Sequence, residues 1–261
     1  MTLKDPSIVA LAAFLQPMAL NVNLENSQGL AAIIDHTLLK PEATRDDVVR
    51  VCTEAREFKF ACVCVNPFWV RLAAEVLVGS GVHVCTVIGF PLGANEAQTK
   101  TAEARQALAE GAKELDMVQN IGSLRSGNHK FVREEICELT NIAHSHGALI
   151  KVILETCLLT GEQKIAACEF ALEAGADFVK TSTGFSYSGA TVEDVASMRR
   201  IVGDRIGVKA SGGVRTLAVL RDLVLAGATR IGTSSGVSIL RELKAASAIC
   251  PEPQRPAYLA T

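Results

Sequence analysis

The sequence predicts a single α/β domain, a (β/α)8 TIM barrel with an extra N-terminal helical segment, and three observations predict it. Short apolar runs alternate with stretches of helical period, which is the pattern of parallel βα units rather than of a sandwich. Eight such runs occur, the strand number of the barrel. The chain has 261 residues, 49% of them hydrophobic, which suffices for one large core.

In chain order the strand candidates are 33–36, 60–65, 83–90, 114–118, 149–154, 177–180, 206–210 and 229–232. Helices are expected at 45–57, 96–110, 131–145, 162–173, 192–202 and 217–226, with Thr44 and Thr191 as N-caps, since their hydroxyls can accept from the free N–H groups of the first turn. Three junctions echo one another: Glu110-Gly111-Ala112, Ala174-Gly175-Ala176 and Ala226-Gly227-Ala228, each just ahead of a strand candidate. A glycine there can take the left-handed conformation that ends a helix and turns the chain into the next strand. Residues 1–29 are expected to form an N-terminal helical extension, one short helix ended by Gln16-Pro17, that covers the barrel floor. The barrel itself spans 30–247. A tail, 248–261, follows, kept irregular and mobile by Pro251, Pro253 and Pro256.

Composition excludes several functions. A formal net charge of -2, from 26 basic and 28 acidic residues, provides no extended positive surface for nucleic acid or anionic lipid. The apolar run 8–15 is too short for a signal peptide or a membrane span, so a cytoplasmic protein is expected. Cys62, Cys64, Cys85 and Cys157 lie in or beside apolar runs and read as small buried hydrophobes. No metal site is expected, because Cys62-Val63-Cys64 is too tight and has no second pair. His144 and His146 read as ordinary solvated side chains at a helix end.

Charged residues inside strand-like runs need explaining, because side chains at the C-terminal ends of barrel strands converge on one pocket. These are Asp116, Lys151, Lys180 and Lys209. Singly, each lysine reads as well as a solvated or snorkelling side chain. Lys180 and Lys209, however, lie on adjacent expected strands, each just before a loop rich in glycine and hydroxyls. Two amines facing one pocket disfavour each other's charge, and an uncharged amine there is a nucleophile for carbonyl carbon. Asp116 either moves protons for such chemistry or merely neutralises the lysines; sequence leaves both readings open. Lys151 is a charge partner. Three late loops, at Thr183-Gly184, Ser211-Gly212-Gly213-Val214-Arg215 and Gly232-Thr233-Ser234-Ser235-Gly236, offer backbone N–H groups and helix N-termini suited to a phosphate.

Four segments carry a family resemblance: Ile34-Asp35-His36-Thr37-Leu38-Leu39-Lys40-Pro41, Glu114-Leu115-Asp116-Met117-Val118, Phe178-Val179-Lys180-Thr181-Ser182-Thr183-Gly184 and Lys209-Ala210-Ser211-Gly212-Gly213-Val214-Arg215-Thr216. From about residue 30 to residue 243 the chain resembles the deoxyribose-phosphate aldolases, Schiff-base-forming class I enzymes. The resemblance implies reversible cleavage of 2-deoxy-D-ribose 5-phosphate to D-glyceraldehyde 3-phosphate and acetaldehyde in deoxynucleoside catabolism. It implies no metal or organic cofactor, and leaves room for a homo-oligomer. By the same resemblance Lys180 forms the Schiff base, Lys209 keeps that amine uncharged and joins proton transfer, and Asp116 relays protons through a water. Gly184, Gly212, Gly213, Gly232, Ser234 and Ser235 match the phosphate loops, and Asp35 and Cys64 match positions lining the pocket. Two departures stand out. Phe185 occupies a place where some relatives carry a lysine, and Tyr258 is followed by three residues where some relatives end in tyrosine. A non-covalent isomerase and a sugar-phosphate sensor are the competing readings.

Overall fold

The computed structural model describes residues 24 and 26–249, and in them eight parallel strands close into a barrel with β1 paired to β8. The expected helix before Gln16-Pro17, the proline-rich tail and Tyr258 lie outside the described residues. The elements run α1 (Ser27–Ala31), β1 (Ile34–Leu38), α2 (Arg45–Phe58), β2 (Cys62–Val65), α3 (Val70–Leu77), β3 (His83–Ile88), α4 (Ala97–Ala109), β4 (Glu114–Val118), α5 (Ile121–Arg125), α6 (His129–Ser145), β5 (Leu149–Ile153), α7 (Gly161–Glu173), β6 (Phe178–Lys180), α8 (Val192–Val202), β7 (Gly207–Ser211), α9 (Leu217–Leu225), β8 (Arg230–Thr233) and α10 (Gly236–Ile249).

Threonine starts many of the helices. Thr44 caps α2 in a reciprocal box with Asp47, and Thr191 caps α8, as expected; Thr160 and Thr216 do the same for α7 and α9. At the other ends, Gly111, Gly175 and Gly227 take φ of 110°, 73° and 117°, and each is followed shortly by a strand. Gly227 has a second reason to lack a side chain, since a Cβ there would meet Arg199 Cγ at 2.6 Å. The helices α3 and α5 escaped the sequence reading because each is short, eight and five residues; periodicity needs a longer window to emerge.

Successive strand residues point to opposite faces. In β4 this sends Leu115 and Met117 outward into the main apolar core, where they pack beneath the helices. Helix α6 meets that layer with Val132, Ile136, Leu139 and Ala143, a helical stripe whose larger side chains each contribute about 1.5–3 kcal/mol on burial. Glu114 and Asp116 therefore face the barrel interior, and both are buried. The interior's apolar part is a separate small cluster of Leu39, Cys62, Cys64, Cys85 and Val87. Of the cysteines expected to be buried, Cys157 is the exception: it sits in the turn Thr156–Leu158 beyond β5 and is only half-buried.

Candidate active site

Sheet register sets the charged interior. Asp116 pairs with Lys151 across β4 and β5, Lys180 with Lys209 across β6 and β7, and Lys209 with Arg230 across β7 and β8. The alternation that buries Leu115 thus aims all these side chains at the barrel axis. Lys180 Nζ and Lys209 Nζ both donate to Asp116 Oδ2, each at 2.7 Å. The other carboxylate oxygen, Oδ1, accepts from Lys151 at 2.8 Å and from the Cys85 thiol at 3.2 Å. Lys151 also meets Glu114 at 2.6 Å, and Lys209 lies 2.5 Å from Asp35 Oδ2, off the hydrogen-bond axis. Arg230 closes the network against Asp35 at 2.7 Å and Glu114 at 3.2 Å.

The electrostatics follow from that geometry. Burial alone would raise the Asp116 carboxyl, but Lys151, Lys180 and Lys209 outweigh it and hold it well below the ordinary range. Burial would likewise push the Lys209 and Lys151 amines down, yet Asp116 with Asp35 around the first, and Asp116 with Glu114 around the second, hold both well above the ordinary lysine value. These two remain ammonium ions. Three carboxylates, Asp35, Glu114 and Asp116, face three lysines and an arginine. Lys151, Lys209 and Arg230 each touch at least two of the carboxylates, whereas Lys180 touches Asp116 alone and shares the oxygen it touches.

Above the network lies a cavity of about 240 Å³ at the C-terminal ends of the strands, and of the network's members only Lys180 lines it. Gly184, Gly212, Gly213, Gly232 and Ser234 share the wall, with Thr183, Phe185, Lys40 and Arg215. The loops after β6 and β7 meet backbone to backbone: a Cβ on Gly212 would come within 2.9 Å of Gly189 Cα and one on Gly189 within 2.1 Å of Gly212 O. Gly232 serves the network too, because a Cβ there would crowd Lys209 Cε at 3.1 Å. Ser235 does not line the cavity; its N–H turns onto Thr233 Oγ1 at 2.9 Å. Asp35 and Cys64, expected in the wall, instead lie beneath it, Asp35 within the ion network and Cys64 beside Cys85. A larger depression of about 690 Å³ opens at the opposite end of the barrel and includes none of the expected site residues.

Glu114 and Arg230 were missed as site components, although both stand in segments that the sequence reading quoted. The signal was available: each is a charged residue one strand-period from a residue already singled out or in register with one. Cys85, from the neighbouring strand, brings its sulfur close to those of Cys62 and Cys64, and the sets Cys62-Cys85-Glu114 and Cys64-Cys85-Asp116 each gather ligand atoms within 4.8 Å. A search along one strand's spacing cannot see such cross-strand sets. The place a metal would take is already contested by Lys151, whose amine lies 3.4 Å from Cys85 Sγ and contacts both carboxylates.

Residues 29–244 match the family model described as DeoC/LacD family aldolase. A deoxyribose-phosphate aldolase of Bacillus mycoides is 56% identical over 211 residues, covering 81% of this chain and 94% of the relative. One from Caldanaerobacter subterraneus subsp. tengcongensis is 55% identical over 221 residues, covering 84% and 96%. Among solved structures, the deoxyribose phosphate aldolase of Aeropyrum pernix, described as a unique tetramer, superposes with a TM-score of 0.80 at 35% identity, covering 90% of this chain and 97% of that one.

Proposed function

The chain belongs to the DeoC/LacD family of aldolases, and from that premise we propose that it cleaves 2-deoxy-D-ribose 5-phosphate reversibly to D-glyceraldehyde 3-phosphate and acetaldehyde through a Schiff base on Lys180. The observation that carries the assignment is that Lys180 alone connects the buried ion network to the cavity. Its amine has one carboxylate contact to give up, and Asp116 loses nothing essential when it leaves, because Lys151 and Lys209 remain.

In this mechanism the free amine of Lys180 adds to the C1 aldehyde and the carbinolamine expels water, leaving an iminium. The C3 hydroxyl gives up its proton, the C2–C3 electrons move into the iminium, and glyceraldehyde 3-phosphate departs from an enamine. Protonation at C2 and return of the water release acetaldehyde and the amine. Each proton transfer occurs beside Asp116 Oδ2, which contacts Lys180 and Lys209 alike, so protons pass within a pocket whose total charge stays constant. The phosphate belongs at the wall formed by Gly212, Gly213 and Ser234, ahead of helix α10, whose N-terminus favours an anion. Cytoplasmic placement is part of the proposal: no described helix is long and apolar enough to cross a membrane, and the described cysteines are unpaired. A homo-oligomer is also part of it, on the strength of the tetrameric relative.

Borohydride added with acetaldehyde tests the covalent step. The expected result is progressive inactivation with an ethyl adduct on Lys180; an active preparation that stays unmodified at Lys180 supports the isomerase-type alternative instead.

Phe185 sets a second expectation. Its half-exposed ring lines the cavity and meets Phe90 edge-on at 5.2 Å, placing an apolar surface where some relatives carry a cation. Phe185→Lys is expected to lower KM for the phosphorylated sugar about fivefold, the effect of one added partly solvated charge pair of about 1 kcal/mol. Measuring KM for 2-deoxyribose beside it checks the cause, since the unphosphorylated sugar gains nothing.

A further inference from the structure

Glu155 follows β5 directly and has φ 57° and ψ 63°, the left-handed conformation, though it is not glycine. Lys59, the other described residue of this kind, caps the end of α2 and is itself exposed, whereas Glu155 is 2% exposed. Its carboxylate has no cationic partner among the described residues. A buried carboxyl group without a cationic partner and a left-handed backbone with a side chain are each unfavourable, and such features persist where the surroundings over-determine them for a purpose.

Thr183 is the residue they hold. Its N–H reaches Glu155 Oε1 and Oε2 at 3.4 and 3.3 Å, and its hydroxyl donates to Glu155 Oε2 in a short contact. The same hydroxyl oxygen accepts the N–H of Phe185 at 3.0 Å. A threonine hydroxyl has one proton and two lone pairs. With the proton committed to Glu155 and one lone pair to Phe185, the second lone pair is what Thr183 can offer in the cavity whose wall it shares with Lys180 and Gly184.

We infer that Glu155 is a positioning residue which, by fixing the Thr183 hydroxyl as an acceptor, makes the pocket selective for substrates that present a carbinol O–H. The inference rests on the aldolase reading and deepens it: the sugar phosphate has such hydroxyls, whereas acetaldehyde has none. It also accounts for the carboxylate, because both of its oxygens accept from Thr183, whereas an amide would set an N–H2 group against the Thr183 N–H. In Glu155→Gln, at nearly unchanged shape, the amide N–H2 would oppose the Thr183 N–H in either orientation and loosen the hold on Thr183.

Glu155→Gln, Thr183→Val and the double variant test this, using two assays on each: cleavage of 2-deoxy-D-ribose 5-phosphate, and borohydride trapping of acetaldehyde on Lys180. The expected result is a fall of about tenfold or more in kcat/KM for cleavage in each single variant, the effect of one lost or reversed hydrogen bond. Trapping should proceed at the unsubstituted rate, and the double variant should be no worse than Thr183→Val. Full cleavage activity in Glu155→Gln, equal losses in both assays, or losses that multiply in the double variant would overturn the inference. If Glu155→Gln does not fold, Thr183→Val alone decides, since it keeps the N–H contact to Glu155: cleavage lost with trapping kept supports the inference, and any other result overturns it. Failure of the unsubstituted protein to trap acetaldehyde counts against the aldolase reading itself and is thereby distinguished.

Discussion

Lys180→Leu is expected to lose turnover of 2-deoxy-D-ribose 5-phosphate by about 10⁴-fold or more, because no other amine in the network reaches the cavity to replace the nucleophile. Lys209 is the nearest substitute by register, but Asp116 and Asp35 hold it charged and it does not line the cavity wall. Stability should change little, since Asp116 keeps Lys151 and Lys209 and no buried charge is stranded. Thermal unfolding alongside the cleavage assay checks both halves. A variant that retains a tenth of the activity would remove Lys180 from its role, and one that fails to fold would show that the network depends on Lys180.

Asp116→Asn is expected to have the second-largest effect, on activity and stability together. Losing the proton-transfer group should lower kcat by about 10²–10⁴-fold. The same change removes the carboxylate shared by Lys151, Lys180 and Lys209, and breaking a buried pair from one side typically costs about 3–5 kcal/mol. The pH dependence distinguishes this variant from a simple packing defect. In the unsubstituted protein the Asp116 carboxyl is lowered, so its contribution is present above the ordinary carboxylate range and is lost as pH falls through the folded value. The Lys151 and Lys209 amines are raised, so theirs is complete below the ordinary lysine range and is lost as pH rises through their folded values. Between those limits the network adds no slope. Without Asp116 the buried amines lose the main group that raises them and keep only Glu114 and Asp35, so the stability they lose in alkaline solution should be smaller in the variant than in the unsubstituted protein. Denaturant melts of both proteins from neutral to alkaline pH measure the difference, and an equal alkaline loss in the two would contradict the assigned coupling.

The fold was legible because its cause is local and repeated. Eight apolar runs spaced by helical segments, threonines at helix starts and the glycines at 111, 175 and 227 each act within a few residues of themselves, so the chain displays them in linear order. Lys180, Lys209 and Asp116 stood out for a related reason: a charge within an apolar strand is anomalous wherever the strand ends up. The short helices α3 and α5 fell below the length at which periodicity emerges.

By itself the sequence determined the barrel and singled out Lys180, Lys209 and Asp116, because patterning and burial bias are properties of neighbours along the chain. Only the tertiary structure decided which of the lysines faces the cavity, that Glu114 and Arg230 complete the ion network, that Asp35 and Cys64 lie beneath the wall rather than in it, and that Glu155 grips Thr183. Those facts depend on register between strands and on contacts between residues far apart in sequence, and Coulomb energies are set by the ångströms that closure of the barrel fixes.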